Sequence, residues 1–337
     1  MSSSHESQAT SKLASVVIPA YNAENQITAC VEALAKQSIP SSRFEIIVVD
    51  DGSTDHTRAV LETLPVRTIL QANQGPAGAR NTGAAAATGE FILFIDSDCV
   101  PSPDFLEQML KPFANQDVVG VSGAYKTKQR ALVARFAQFE FEERYRMLES
   151  QPFIDMIASH AAAYRRQTFI ESGGFLRELK MNEDVELSYR LSTQSGKLVF
   201  NPLAVIYHLH PASCARYFRI KIGRGYWRIM VYKEFPQKAV SDTYTPQNLK
   251  YQVMSIYLLA LCLVLAPLIP SLLFVAAGVF TLSSATMLPM CMNVARQSPG
   301  MGLVCLPLLW LRALALGLGS AAALVRIAWE GLRARLR

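Results

Sequence analysis

Four short runs near the start of the chain set the tightest limit on its fold: "SVVIPAY", "FEIIVVDD", "VRTIL" and "FILFIDSDC". They are rich in β-branched and aromatic residues and show no apolar–polar alternation. Between them lie segments of helical character. Ile27, Val31 and Leu34 repeat at helix spacing, "DHTRAVLETL" follows the second run, and the alanine-rich "GPAGARNTGAAAATG" closes at Gly89, a helix stop. Strands without alternation are predicted to be buried on both faces, and strand–helix alternation predicts a parallel sheet covered on both sides. Ligands of such sheets gather at the carboxyl ends of the strands. Three of the runs end there in polar groups: Tyr21 with Asn22, Asp50 with Asp51, and Asp96 with Asp98. Carboxylates are costly to bury, so several converging on one edge point to a cation. For any single D-x-D taken alone, an Asx-type turn is the more common account.

Further along, a helix is predicted after Pro103, then the strand "VVGVSGAY", then a long helix from Ala131 to Ser150. Asp184 to Ser192 is predicted as a helix with Val185 and Leu187 to Leu191 facing inward. "KLVFNPLAVIYHLHP" is predicted as a strand pair ending in His208 and His210. No internal repeat is visible.

Composition changes near Lys250. Half of the 337 residues are hydrophobic, but unevenly spread. Val253 to Ile269 and Ser271 to Met292 are each near the roughly 20 residues that cross a bilayer. A third run, Met301 to Val325, carries Arg312 at its middle, which facing lipid costs about 2.5–3.5 kcal/mol. Arg326, Arg333, Arg335 and Arg337 follow and favour a cytosolic end, hence an even number of crossings, whereas hydrophobicity alone gives three. Residues 251–337 are therefore expected to be a membrane region of two or three spans. Just before it, residues 212–250 include "YFRIKIGRGYWRIMVYK", Arg and Lys interleaved with aromatics, expected as interfacial helices. Next to membrane spans this pattern favours anionic lipid over nucleic acid as the partner. Residues 1–12 are polar and expected to be disordered. "VVIPA" is too short for a signal-peptide core, so the part ahead of the apolar runs is expected at the cytoplasmic face of the inner (plasma) membrane. The six cysteines share no C-x-x-C spacing, which fits reduced thiols.

In this order, "SVVIPAYN", "VVDDGSTD", "NQGPAGARNTGAAAATGEFILFIDSDC" and "GGF…NEDVELSYRL" resemble glycosyltransferase family 2, the inverting enzymes of GT-A fold. The resemblance spans Ser15 to Pro211 and implies an α/β fold: a Rossmann-like nucleotide-binding half joined to an acceptor-binding half within residues 13–211, ahead of the transmembrane helices. It implies a nucleotide-sugar donor, with a UDP-sugar favoured, and Mg2+ or Mn2+, which neutralises the leaving diphosphate. By the family pattern Asp98 ligates the metal, and Asp96 reaches the ribose or the metal's water shell. Pro19 and Tyr21 lie in the donor-binding run, with Tyr21 stacking on the base and Asp51 accepting from its ring N–H. Asp50 touches the ribose or caps its own turn. Arg80 contacts the base or diphosphate, or is a surface residue of an alanine-rich helix. Inversion requires a base for the acceptor hydroxyl, and the position after the glycine pair makes it Asp184, with Glu183 the weaker candidate. Acids at a helix start are also ordinary caps. A histidine after the last strand completes the metal site, His208 favoured and His210 the alternate. The Q-x-x-R-W motif of polymer-extruding relatives is missing, so transfer of one sugar is expected. The acceptor is then a lipid-linked glycan in cell-surface polysaccharide or glycoconjugate assembly. The runner-up is direct transfer to polyprenyl phosphate or a membrane glycolipid, and the non-enzyme rival is a membrane scaffold that retains a nucleotide-sugar fold.

Overall fold

The computed structural model describes residues 12–194 and 196–335. The N-terminal segment expected to be disordered lies outside these residues, Lys12 excepted, and so does Arg337. The chain divides into two compact units: residues up to Lys126 with Met156–His208, and Thr127–Asp155 with the residues from Leu209 onward.

In chain order, the first stretch forms β1 (Ala14–Ala20), α1 (Ile27–Ala35), β2 (Phe44–Asp50), α2 (Thr57–Leu61), β3 (Arg67–Leu70), α3 (Gly75–Ala86) and β4 (Phe91–Ile95). There follow β5 (Val100–Pro101), α4 (Phe105–Leu110), β6 (Val118–Lys126), α5 (Leu132–Glu149), β7 (Ala161–Arg165), α6 (Arg166–Glu171), α7 (Glu183–Thr193) and β8 (Lys197–Tyr207). All eight strands belong to the first unit and form one sheet in the order β3-β2-β1-β4-β7-β6-β8-β5. The helix predicted from Ala131 is α5, and it packs in the second unit.

β1 to β4 run parallel, and Val16, Ile47, Val48, Leu93 and Phe94 of β1, β2 and β4 are fully buried, as unalternating strands require. β3, expected to be covered on both faces as well, is largely exposed, because it is the sheet's edge and pairs with β2 alone. The sheet as a whole is mixed rather than parallel. β7 runs antiparallel to both β4 and β6, β8 runs parallel to β6, and β5 runs antiparallel to β8. β7 escaped sequence reasoning because its core is Ala161–Ala163, and alanine carries little strand signal. The predicted terminal strand pair is a single strand, β8. Its register against β6 slips between Phe200 and Val205, around Pro202, which has no N–H to give a ladder. Pairing of β1 with β4 ends at Val17, so Pro19 lies beyond the last rung, where the missing N–H breaks nothing. The strands open at that end into the polar edge.

The second unit combines α5 with α8 (Cys214–Glu234), α9 (Pro236–Val240), α10 (Gln247–Leu265), α11 (Leu272–Gln297) and α12 (Pro299–Arg335). Phe136, Tyr217, Met287, Cys305 and Leu309 share its core. α10, α11 and α12 are each long and apolar enough to cross a membrane. Arg312 does not face outward. It is 7 % exposed and donates to Glu140 Oε1 at 3.3 Å and to Gln252 Oε1 at 2.8 Å. Glu140 also accepts from Lys221 Nζ at 3.0 Å and from the Tyr217 hydroxyl at 2.9 Å. Partners inside the unit thus satisfy the charge that lipid would not.

The basic aromatic stretch is helical as α8, which Ser213 opens by accepting from the Arg216 N–H at 3.3 Å. α8 and α12 run alongside each other in the same direction and touch backbone to backbone. A Cβ at Gly225 would stand 2.5 Å from the Leu316 carbonyl oxygen, and one at Gly319 would stand 2.0 Å from that of Ile222. Further along, Arg326 donates to the Tyr226 hydroxyl at 2.7 Å and Lys233 lies 4.0 Å from Glu330.

Candidate active site

At the carboxyl edge of the parallel strands, Tyr21 leaves β1 with about half its surface exposed. The next residue, Asn22, takes a left-handed φ of 51° and accepts the Thr54 N–H at 2.8 Å. Asp50, the last residue of β2, accepts from the Ser53 N–H at 3.0 Å, a bond within its own loop. Asp51 is buried, and one of its carboxylate oxygens accepts from Gln71 Nε2 at 2.6 Å and from the Gln74 N–H at 2.8 Å. The loop after β2 is therefore fixed to the entry of α3 before any ligand arrives.

Arg80 is no surface residue. Carried inward by α3, it is 4 % exposed and clamps two acids from different parts of the chain: Asp96 Oδ1 through Nη2 and Glu183 Oε1 through Nη1, both at 2.7 Å. Burial alone would disfavour its charge, but Asp96 and Glu183 outweigh that and hold it firmly protonated. Glu183 is the mirror case. Burial and then the neighbouring Asp184 push its carboxyl up, against the pull of Arg80. Asn182 turns the chain into α7 with a φ of 64°. Asp184 follows at the first turn, half-buried, and one of its oxygens accepts the Ser159 N–H at 3.1 Å. The two adjacent acids thus differ in their partners. Glu183 is occupied by a buried cation, whereas Asp184 accepts from backbone N–H groups, that of Ser159 and, on its other oxygen, that of Val185 at 2.8 Å.

Asp98 and His208 come together: Oδ1 and Nδ1 are 3.3 Å apart, on side chains 35 % and 20 % exposed. Topology explains the meeting. Val100 of β5 pairs with Tyr207 of β8 in an antiparallel register, so Cys99 and His208 are the next neighbours across the strands. Burial raises the Asp98 carboxyl, but the hydrogen bond and charge of His208, with Cys99, prevail and hold it below the ordinary carboxylate range. Cys99 is fully buried, and burial together with Asp96 and Asp98 keeps its thiol protonated in the absence of a cation. His210 belongs to the other unit, where its Nε2 meets Gln138 Oε1 at 3.0 Å and its ring stacks on Phe141. An oxygen and a nitrogen donor, partly open and already adjacent, suit a divalent cation that must also reach a ligand.

Three participants had no strong sequence signal. Tyr125 at the end of β6 stacks on His208 with ring centroids 4.6 Å apart and on His160 from its other face. Ser159 is recognised only through its bond to Asp184. Cys99, directly after the D-x-D, was legible by position alone.

A family model described as "Glycosyl transferase family 2" matches residues 15–173. The succinoglycan biosynthesis protein ExoO of Rhizobium meliloti is 31% identical over 226 residues, covering 60% of this chain and 63% of that protein. The Escherichia coli protein WfgD, named as a UDP-Glc:alpha-D-GlcNAc-diphosphoundecaprenol beta-1,3-glucosyltransferase, is 36% identical over 129 residues, covering 37% of this chain and 50% of its own length. The chain spans about a third of one curated relative's length and at most 63% of these others. Among solved structures, the mannosyltransferase PcManGT of Pyrobaculum calidifontis, determined with GDP-Man and Mn2+, aligns over 94% of this chain and 88% of its own. Its TM-score is 0.61 at 20% identity, a likeness of fold: the GT-A type of Rossmann-like α/β sheet.

Proposed function

Since residues 15–173 belong to glycosyl transferase family 2, we propose that the protein is a membrane-associated inverting glycosyltransferase moving one sugar from a nucleotide-sugar donor to a lipid-linked acceptor. The similarity to WfgD, named for a diphosphoundecaprenol-linked acceptor and a UDP-sugar, supports that acceptor class and favours a UDP-sugar. The observation that carries the reading is the 3.3 Å approach of Asp98 and His208 at the edge where Tyr21, Asp51 and Asp96 also end their strands.

Asp98 and His208 would hold the divalent cation, Mg2+ or Mn2+ by the family resemblance. When bound, it would neutralise charge on the departing diphosphate. Tyr21 offers its exposed face to the base, and Asp51, pre-oriented by Gln71 and Gln74, accepts from the base's ring N–H. Asp96 is held by Arg80 facing the ribose, and Arg80 acts through Asp96 and Glu183 rather than by touching the donor. Asp184 takes the proton of the acceptor hydroxyl as it attacks from the side opposite the diphosphate. Glu183, tied to Arg80, is poorly placed for that role. The catalytic unit works at the cytosolic face of the membrane, with α8 at the headgroups and the apolar helices as anchor.

The test is transfer by the full chain in lipid nanodiscs, with a panel of labelled nucleotide sugars and lipid-diphosphate-linked acceptors. Metal-dependent transfer that Asp98→Asn and His208→Ala both abolish is expected. Donor binding and turnover unaffected by either substitution would overturn the assignment.

A further inference from the structure

Asp98 and His208 leave one neighbour unexplained. Cys99 Sγ stands 3.6 Å from Asp98 Oδ1 and 3.7 Å from His208 Nδ1, and those same two atoms are 3.3 Å apart. Oxygen, nitrogen and sulfur thus form a closed triangle, all within 4.8 Å of one another. Ligands at about 2.0–2.1 Å (N, O) and about 2.3 Å (S) around a tetrahedral ion stand about 3.3–3.6 Å apart. The three side chains therefore already have the spacing of three corners of a tetrahedron, before any ion draws them in.

The surroundings favour the same arrangement. The Tyr125 ring stacks on His208 and so orients that corner of the triangle. The Cys99 N–H is bound to the Asp96 carbonyl at 3.1 Å, which fixes the turn that presents it. Asp98 and His208 are partly exposed while Cys99 is buried, so the triangle has a closed back and an open front. Three protein ligands with one open position describe a catalytic rather than a structural centre.

We propose that Cys99 is a third metal ligand and that the site takes a thiophilic divalent cation, of the zinc, cobalt or cadmium class, in preference to Mg2+. This rests on the preceding assignment of Asp98 and His208 and changes what they select. Hard cations prefer oxygen, and a sulfur corner weakens them relative to softer ions. As the metal–sulfur bond forms, the thiol releases its proton to solvent, and the positive charge of the ion replaces the proton between Asp98 and the sulfur. The diphosphate oxygens of the donor take the open position.

Metal-free full-length protein titrated with Co2+ reads the sulfur directly, through near-ultraviolet thiolate-to-cobalt charge-transfer absorption. The band is expected in the native chain, to be lost in Cys99→Ser and in Asp98→Asn, and to be displaced by Zn2+ or Cd2+ but not by excess Mg2+. Cys99→Ser should weaken Cd2+ binding at least ~10-fold, the lower end of what loss of a supporting group costs, and Mn2+ binding by less. Cys99→Asp, which keeps a ligand but makes it oxygen, should bind Co2+ without the band and move preference toward Mn2+. That variant and the native spectrum decide the matter if Cys99→Ser does not fold. Asp98-dependent Co2+ binding without the band, or a band surviving in Cys99→Ser or Cys99→Asp, overturns the sulfur ligand and leaves the Asp98–His208 assignment standing. Metal binding indifferent to Asp98→Asn overturns that earlier assignment instead.

Discussion

Two clusters of buried charge in the molecule are treated differently. In the second unit, Glu140 is enclosed by Lys221, Arg312 and Tyr217, and every residue of the set is under a tenth exposed. Burial raises the Glu140 carboxyl, but Lys221, Arg312 and Arg144 outweigh it and bring it down to about 2. In the first unit, Arg80 is buried as deeply, yet the acids around it, Asp96, Glu183 and Asp184, outnumber it, and Asp98 nearby faces His208 and Cys99. The first cluster surrounds one carboxylate with more cations than it has charge to match, and is closed off from outside. The second keeps surplus negative charge at an open edge. The sign of the surplus and its access, more than burial itself, separate the enclosed ion cluster from the candidate site.

The largest expected effect is at Asp184. If it is the base, Asp184→Asn should retain fold and donor affinity yet lower transfer by about 10²–10⁴-fold, the usual contribution of a general base. A folded variant with near-native transfer would place Asp184 with the enclosed, structural charges. Next in size is Arg312→Ala, which leaves Glu140 to Lys221 and Tyr217 but takes away its second cation and the partner of Gln252; it should destabilise the second unit by about 3 kcal/mol in a denaturation experiment, the low end for breaking a buried ion pair. Replacing Glu140, Lys221 and Arg312 together by apolar residues should cost much less, since no buried charge is then left unpaired; an equal loss would mean that packing, not charge, holds this region. The same carboxyl gives a pH test. Its folded value lies below its ordinary 4.5, so its stabilisation is full above that value and is lost as pH falls toward about 2. Glu140→Gln should be less stable at neutral pH and should lack that component of the acid slope. Smaller again is Gly319→Ala, whose methyl meets the Ile222 carbonyl and should cost about 1–3 kcal/mol as α8 and α12 move apart. Ser213→Ala, removing a helix cap, should cost about 1 kcal/mol, and a larger loss would give that end of α8 an unrecognised role.

Much of this was legible in the residues. Unalternating apolar runs identify β1, β2 and β4, and the acids that follow them mark the edge, because burying carboxylates without purpose is costly. β7 was not legible: three alanines between two strands take their conformation from the neighbours they pair with, and local preference says little. The depth of Arg80 was hidden for a related reason. Position on an alanine-rich helix does not reveal which face is covered, and its two acids lie 16 and 103 residues away. His208 could be favoured over His210 only by family pattern; the β5–β8 register is what sets it across from Cys99. Arg312 argued against burial when read alone, because its counter-charge comes from 172 residues earlier in the chain.

The side-by-side run of α8 and α12 bears on how deep the chain sits in a bilayer. Two helices in backbone contact at Gly225 and Gly319, and still linked at Lys233 and Glu330, cannot occupy different levels over that length. α8 brings Arg216, Arg219, Lys221, Arg224, Arg228 and Lys233 with it. Of these, Lys221 has a buried carboxylate as partner. Carrying the others to mid-bilayer would cost about 2.5–3.5 kcal/mol each on insertion scales, more than the apolar face of α12 returns. The shared level therefore ties residues 312–330 of α12 to the depth at which the cations of α8 rest.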